Sequence, residues 1–245
     1  MITLRRLGGI CWRLWRKGSK ILLHVMLPCI VRTHRCGLVL ERLGSDYGGW
    51  TVPVDLLSEK SVCYCAGVGV DATFEFALVE RFHCRAYSFD PTPRAIAYMN
   101  QSVYDRQRLR FLPVGVWDED TSMRFYAPAN PNETSHSVYD LQGTARYFEA
   151  ECRTVRSLMK ELGHERIDLL KLDIEGAWRS VLDDLVRRRT PVSILCVELD
   201  SPVSLPIVLR VIRALRATGL EFAHRERDNY LFVDRGMLAA SAHSQ

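Results

Sequence analysis

The sequence lacks the features that identify several common classes of protein. Its eight cysteines form no C-x-x-C pair and show no Cys/His spacing typical of a zinc site. The longest apolar run, residues 21–31, contains a histidine and a proline and is too short to span a bilayer. No small-x-small cleavage site follows it, as a signal peptide would require. Because several cysteines fall inside apolar strands, where a thiol behaves as a small hydrophobe, we expect a reducing, cytoplasmic compartment.

Negative charge is missing from the first 40 residues, which contain eight Lys or Arg and no Asp or Glu. The formal charge is +4 for the whole chain and therefore −4 for the remainder. Nucleic-acid-binding domains usually present a basic face, so we expect no nucleic-acid partner. Residues 1–32 combine Arg and Lys with apolar residues at helical spacing, which predicts a basic amphipathic helix. Two interpretations stay open for this helix: peripheral contact with an anionic membrane or a partner, and packing on the fold. We divide the chain into this helical segment, 1–43, and a main domain, 44–245.

Residues 61–90 have the pattern of a βαβ unit. A short apolar strand is interrupted by Gly67 and Gly69, a helix with an apolar face follows, and a second strand ends at Asp90. Glycine allows a sharp turn and close approach to a ligand, and the start of the helix offers free N–H groups. Asp90 stands where an acidic side chain accepts hydrogen bonds from both hydroxyls of a ribose. This unit predicts a site for a nucleoside-bearing cofactor.

The rest of the sequence continues to alternate strand and helix patterns. We expect a helix after Asp90, a third strand at residues 109–116 paired with or extended by 122–126, a polar loop at 127–150, buried strands at 168–172 and 192–199 with a helix after each, and a closing hairpin of 220–223 and 229–233. This alternation predicts an α/β fold with a doubly wound, mostly parallel sheet and an antiparallel end. Ligands bind such sheets beyond the carboxyl ends of the strands. Polar groups follow four strand ends: Gly67/Gly69, Asp90, Asp173/Glu175 and Glu198/Asp200.

Two classes of cofactor are compatible with the glycine turn. Read as Gly67-x-Gly69-x-x-Ala72 with Asp90, the unit satisfies the dinucleotide fingerprint, so an NAD(P)-dependent oxidoreductase is one alternative. Against it, the chain closes with a hairpin rather than a second mononucleotide half, and no Tyr-x-x-x-Lys follows the fourth strand. The acidic residues at 173–175 suit a cationic ligand, and S-adenosylmethionine carries both a sulfonium and an ammonium.

Four stretches make the second alternative more specific: AGVGVDATFE (66–75), FDPTP (89–93), IDLLKLDIEGAW (167–178) and DNYLFV (228–233). Together they resemble the FkbM family of S-adenosylmethionine-dependent methyltransferases, over residues 44–233. The resemblance implies a class I methyltransferase fold, which is Rossmann-like and has a seven-stranded sheet with an antiparallel last strand. It also implies methylation, typically of a hydroxyl on a small molecule or glycan.

The same resemblance implies which residues bind the cofactor. Gly67 and Gly69 would face its methionine part, and Asp90 would hold its ribose. Val116 and Trp117, after the third strand, would border the adenine.

The catalytic group is expected at the end of the fourth strand. By resemblance, Asp173 would lie near the reacting methyl group and the cofactor, and it is our first candidate for the base or for the group that positions the acceptor. His136, in the polar loop, is the second candidate. Tyr47 and Trp50, beside glycines, either cover one end of the ligand or cap the core. We predict no bound metal.

Two positions depart from the family pattern. Many members have Asp where Cys65 stands, and a thiol cannot bind an ammonium as a carboxylate does; Asp71 or a backbone carbonyl is expected to take that role. Trp178 stands where many members have an acidic residue. The missing carboxylate at Cys65 also motivates another hypothesis, a cofactor-binding protein without turnover that residues 1–32 hold at a membrane or partner.

Overall fold

The computed structural model describes residues 23, 25–34, 37–126, 144, 146–200 and 203–242. The strands are β1 (Leu40–Leu43), β2 (Trp50–Pro53), β3 (Val62–Ala66), β4 (Arg85–Phe89), β5 (Leu109–Leu112), β6 (Gly115–Val116), β7 (Thr121–Tyr126), β8 (Tyr147–Arg153), β9 (Ile167–Leu172), β10 (Val192–Glu198), β11 (Leu220–Glu226) and β12 (Asn229–Asp234). The helices are α1 (Thr73–Phe82), α2 (Pro93–Gln101), α3 (Val155–Leu162), α4 (Trp178–Arg188), α5 (Leu205–Ala217) and α6 (Arg235–Ala242), with a 3-10 turn at Val54–Leu56. His136 and most of residues 1–32 lie outside the described residues.

Seven strands form the main sheet in the order β11-β12-β10-β9-β3-β4-β5. The neighbours from β10 to β5 run parallel, whereas β12 is antiparallel to both β10 and β11. Strands β3 and β9 are apolar almost throughout because both faces of the sheet are buried there, and side chains of each strand enter two core clusters. The chain builds outward from β3 to β5 and then returns to the other side of β3 at β9. The predicted mostly parallel sheet with an antiparallel last strand is confirmed, and the order reverses between β3 and β9, where ligands of such sheets bind.

Capping residues fix where two of the helices begin. The Thr92 hydroxyl accepts a hydrogen bond from the Ala95 N–H at the start of α2, and Pro93 occupies the first turn, where no backbone donor is needed. Thr154 caps α3 in the same way by accepting from the Ser157 N–H. Because Thr92 follows Asp90 by two residues, this cap also fixes the chain that leaves β4.

The predicted third strand is wrong in its extent and its pairing. Strand β5 ends at Leu112, before Pro113, which has no N–H to continue the ladder. Residues 115–116 and 121–126 instead pair with β8 in a separate three-stranded sheet of order β6-β8-β7. Strand β8 begins at Tyr147, so the polar loop expected up to residue 150 is also shorter than predicted.

The end of the N-terminal segment packs on the main domain. Residues 25–30 are helical, and Leu23, Leu27 and Val31 are buried in the same core as the main sheet. On the outer side of this helix, Val25 is 58% exposed and Ile30 is 51% exposed. Packing on the fold therefore holds for this part, while membrane contact stays a prediction for the exposed side. Among the residues described, no helix combines the length and apolar composition needed to cross a bilayer.

Of the cysteines expected inside core strands, Cys63, Cys65 and Cys196 lie in the main sheet, whereas Cys84 directly precedes β4; all four are fully buried. The Sγ atoms of Cys63 and Cys84 lie 3.8 Å apart, and both thiols are free. Cys152, on β8, is buried in the smaller sheet, whereas Cys29 is exposed. The buried cysteines act here as small apolar residues.

Candidate functional site

A cavity of about 250 Å³ opens at the carboxyl ends of β3, β4 and β9. It brings together most of the residues singled out in the sequence: Tyr47, Gly67, Gly69, Asp71, Asp90, Val116, Asp173 and Glu175. Trp117 is not among the described residues that line it; its N–H bonds the Arg153 carbonyl of β8 at 3.0 Å. The positions agree with a shared site, and the role of each residue stays a prediction.

The glycine turn after β3 is pressed against the end of β9. Gly67 has φ +85°, and a Cβ built on it would lie 1.8 Å from the carbonyl oxygen of Asp173. Its N–H donates to the Phe89 carbonyl at 2.9 Å, and the Asp173 N–H donates to the Ala66 carbonyl at 3.0 Å. Position 67 therefore accepts only glycine, both for its conformation and for its space.

The Asp90 carboxylate organises this turn. Its Oδ2 accepts the backbone N–H groups of Val68 and Gly69, each at 2.9 Å. Its Oδ1 accepts the N–H and the hydroxyl of Thr92 at 2.8 and 2.6 Å. A carboxylate offers about four acceptor positions, so the protein itself supplies a donor for each of them. The predicted contact with a ribose stays a prediction, and the structure adds a second task for Asp90.

Asp71 ties the loop after β1 to the start of α1. It accepts hydrogen bonds from the Ser45 hydroxyl at 2.5 Å and from the hydroxyl and N–H of Thr73 at 2.6 and 3.0 Å. Burial opposes its charge, but these hydrogen bonds outweigh the burial and lower the pKa of Asp71. Asp71 is thus an anion at the rim of the cavity, and its predicted contact with the cofactor ammonium stays a prediction.

The ends of β9 and β10 carry a group of neighbouring carboxyls. Glu198 lines the cavity and is hydrogen-bonded to Asp173. Burial, that hydrogen bond and the nearby negative charges raise the pKa of Glu198 to about 9. Burial and the charges of Glu175 and Asp173 likewise raise the pKa of Asp200 to about 7, although Asp200 accepts the Gly176 N–H. This side of the cavity is therefore suited to a cation, which would allow the carboxyls to ionise.

A buried lysine lies beneath the glycine turn. The Lys171 ammonium donates to the Gly67 carbonyl at 2.6 Å and lies 3.2 Å from Glu75 Oε1 and 3.7 Å from Asp173 Oδ2. Burial opposes its charge, but the two carboxylates outweigh the burial and raise the pKa of Lys171. The sequence pattern alone assigns no role to Lys171 or Glu75. A charged residue inside the apolar strand DLLKL was the available signal for the lysine.

The aromatic residues near the cavity have different tasks. Tyr47 lies at its rim and is 81% exposed, whereas Trp50 is only 3% exposed and packs in the core. Phe125, from β7, lines the cavity and stacks on Phe148 with ring centroids 5.4 Å apart. Trp178 is buried at the start of α4 and hydrogen-bonds Asp200. Of the two alternatives left open for Tyr47 and Trp50, contact with the cavity holds for Tyr47 and packing in the core holds for Trp50.

The described residues include no group of three or more His, Cys, Asp or Glu side chains that could hold a metal ion. The cavity combines a close backbone turn, which admits a ligand near the main chain, with carboxyls suited to a positive charge. An S-adenosylmethionine molecule has both the polar nucleoside and the cationic methionine part that such a wall fits.

A family model described as "Methyltransferase FkbM domain" matches residues 63–216. Among curated proteins, "Probable methyltransferase-like protein 24" of Rattus norvegicus is 29% identical over 123 residues, which cover 50% of this chain and 28% of that protein. The match thus spans less than a third of the relative's length.

Two solved structures show a distant likeness. One is Aeropyrum pernix fibrillarin in complex with S-adenosyl-L-methionine, at 13% identity and a TM-score of 0.43, covering 73% of this chain and 67% of that one. The other is a putative RNA methyltransferase from Pyrococcus horikoshii, at 10% identity and a TM-score of 0.41, covering 89% of this chain and 96% of that one. The expected absence of a nucleic-acid partner has no support in these comparisons.

Proposed function

This chain belongs to the methyltransferase FkbM domain family, and we propose that it transfers a methyl group from S-adenosylmethionine to a hydroxyl oxygen of a small molecule or glycan. S-adenosylmethionine, the methyl donor of the family, supplies an electrophilic methyl group on a positively charged sulfur. The single observation that carries the proposal is the glycine turn packed directly on Asp173, beside the carboxyls of the cavity wall. The family match gives no support to the alternative that the protein is an NAD(P)-dependent oxidoreductase.

The cofactor-binding residues in this proposal are those that shape one side of the cavity. Gly67 and Gly69 let the backbone approach the methionine part, and Asp90 holds the N–H groups of Val68 and Gly69 in a fixed direction. The carboxyls of Asp173 and Glu198 face the cationic part of the cofactor, and a bound cation opposes the rise in the pKa of Glu198. Val116 contributes an apolar surface for the adenine.

A hydroxyl that accepts a methyl group must lose its proton, and Asp173 is our first candidate to receive it. Its side chain lines the cavity and is 33% exposed, so an acceptor can reach it. The hydrogen bond with Glu198 and the nearby Lys171 ammonium fix its orientation. A positioned general base contributes about 10²–10⁴-fold to such a reaction. His136, outside the described residues, remains the second candidate.

The acceptor is proposed to enter between the rim residue Tyr47 and the smaller sheet. Phe125 and Tyr47 supply aromatic surface on this side, and aromatic rings pack well on the apolar faces of small molecules and sugars. The formal charge of −4 after residue 40 favours such an acceptor over a nucleic acid.

Calorimetry and mass spectrometry test the proposal in sequence. Purified protein is titrated with S-adenosylhomocysteine and with NADH, and cell extract is then incubated with the protein and methyl-deuterated S-adenosylmethionine. We expect binding of S-adenosylhomocysteine and a product heavier by one labelled methyl, absent with Asp173→Ala and present with Glu165→Gln, an exposed residue that does not line the cavity. Binding of NADH alone would overturn the proposal.

A second candidate function is cofactor binding without turnover, and the missing carboxylate at Cys65 motivates it. In this case the protein binds S-adenosylhomocysteine but labels nothing in any extract that contains hydroxylated small molecules, glycans and RNA. A labelled product that disappears in Asp173→Ala eliminates this candidate.

A further inference from the structure

The ammonium of Lys171 lies on the central strand of the main sheet with uncharged neighbours on both sides. Lys171 is 2% exposed, and its in-register partners are Cys65 on β3 and Cys196 on β10. Burial raises the pKa of Cys196 to about 12 and that of Cys65 well above its usual value, so both thiols stay neutral. The two adjoining strands therefore offer no counter-charge at this level of the sheet.

The counter-charge comes from helix α1. Glu75 is fully buried, its Oε1 lies 3.2 Å from the Lys171 ammonium, and its Oε2 has no hydrogen-bond partner among the described atoms. An ion pair of this kind is expensive to desolvate and is weak evidence for stability. The same ammonium also holds the Gly67 carbonyl and faces the Asp173 carboxylate, one on each side of the contact that closes the cavity floor.

We propose that Lys171 and Glu75 are positioning residues for the cofactor turn. Lys171 fixes the Gly67 carbonyl relative to Asp173, and Glu75 holds the ammonium where it reaches both. Neither residue has to touch the acceptor. This inference rests on the proposed function, because it names the groups that set the geometry of the same site.

The position of the counter-charge is then exchangeable. Cys65 and Lys171 are paired in register on adjacent parallel strands, so their side chains lie on the same face of the sheet. An aspartate at position 65 would bring a carboxylate to the ammonium from β3 instead of from α1. Cys63 lies on the same strand and face but is paired with Leu169, one step away from the lysine.

The experiment compares Glu75→Gln alone with the double variants Cys65→Asp/Glu75→Gln and Cys63→Asp/Glu75→Gln. Cys65→Asp alone is measured as well, because a carboxylate that bound the cofactor ammonium directly would strengthen binding in that single variant too. Affinity for S-adenosylhomocysteine is measured by calorimetry well below the melting midpoint of each variant, where all molecules are folded. We expect Glu75→Gln to bind about tenfold or more weakly, the double variant at position 65 to return to within about threefold of wild type, and the control at position 63 to recover nothing. If Glu75→Gln does not fold, we expect the double variant at position 65 to regain both a cooperative thermal transition and binding, and the control at position 63 to regain neither.

Wild-type affinity of folded Glu75→Gln, with only a lower melting temperature, would assign the pair to stability and overturn the inference. So would a failure of Cys65→Asp to improve on Glu75→Gln. Hydrogen exchange at the Gly67 and Asp173 amides gives a readout without ligand, since both donate across the floor of the cavity. If the wild-type protein binds no S-adenosylhomocysteine, the proposed function fails, and faster exchange confined to these amides in Glu75→Gln still decides the inference.

Discussion

Replacing Glu198 by glutamine should make the stability of the protein less sensitive to pH. Glutamine has the shape of a protonated glutamate and can donate the same hydrogen bond to Asp173. The pKa of Glu198 is raised in the folded state from 4.5 to about 9. The folded protein therefore keeps a proton that the unfolded chain releases. The stability from this group is fully present below pH 4.5 and is lost as the pH rises towards 9.

The size of the effect follows from that interval. Each pH unit in which only the unfolded chain is ionised costs about 1.4 kcal/mol. Between about pH 5 and about pH 7 the wild-type protein should lose up to about 2–3 kcal/mol through Glu198. For a chain of this size that corresponds to roughly 5–10 °C in Tm. Asp200, whose pKa is raised to about 7, adds a loss in the same direction that both proteins share.

Thermal unfolding of wild type and Glu198→Gln between about pH 5 and about pH 8 measures this difference. We expect similar Tm values at the acidic end and a growing advantage of Glu198→Gln as the pH rises. Glu165→Gln, at an exposed position, serves as the control and should follow wild type at every pH. If the curves of wild type and Glu198→Gln run parallel, Glu198 does not hold a proton at neutral pH and the reasoning is refuted.

Five further changes test the cofactor turn, the two candidate bases and the N-terminal segment. Gly67→Ala should abolish cofactor binding, because its Cβ would overlap the Asp173 carbonyl. Calorimetric titration of the folded variant measures this, and an affinity equal to that of wild type would contradict it. Asp173→Asn should weaken both turnover and binding of S-adenosylhomocysteine, whereas His136→Ala should lower turnover and leave that affinity within about twofold; full activity of Asp173→Asn counts against our site assignment. Deletion of residues 1–32 should cause aggregation, since it removes buried core side chains. Polar substitutions on the exposed side of helix 25–30 should instead leave the melting curve unchanged and reduce co-sedimentation with anionic vesicles; unchanged sedimentation contradicts membrane contact.

The sequence predicts most successfully where a local pattern determines a local structure. The spacing of Gly67, Gly69 and Asp90 within one βαβ unit was sufficient to predict that they line one cavity. Asp173 could be added because the carboxyl ends of parallel strands meet at one edge of the sheet. The sequence analysis does not predict the split of the third strand, although Pro113 lies within it. Whether a proline ends a strand depends on which neighbouring strand would have accepted its missing hydrogen bond.

The features that the sequence analysis does not predict depend on contacts between distant parts of the chain. Lys171 and Glu75 are separated by 96 positions, and neither position reveals its partner because the pairing depends on how α1 lies on the sheet. Trp50 stood beside glycines in a segment that reads as a loop, yet it is a core residue. Its burial follows from the pairing of β1 with β2 and the packing of this pair on the domain, which sequence periodicity does not encode.

The buried thiols make the opening of this structure measurable by chemical labelling. Alkylating reagents modify a thiol only when solvent reaches it, so the number of labels per molecule, counted by mass, records how far the structure has opened. Cys29 is exposed and would be labelled at once, whereas labelling of Cys152 reports opening of the smaller sheet. The main sheet is reported by four others: Cys63, Cys65, Cys84 and Cys196. A label that peptide mapping assigns to Cys152 before these four are modified would show that the sheet bordering the acceptor side opens separately from the one that carries the cofactor turn.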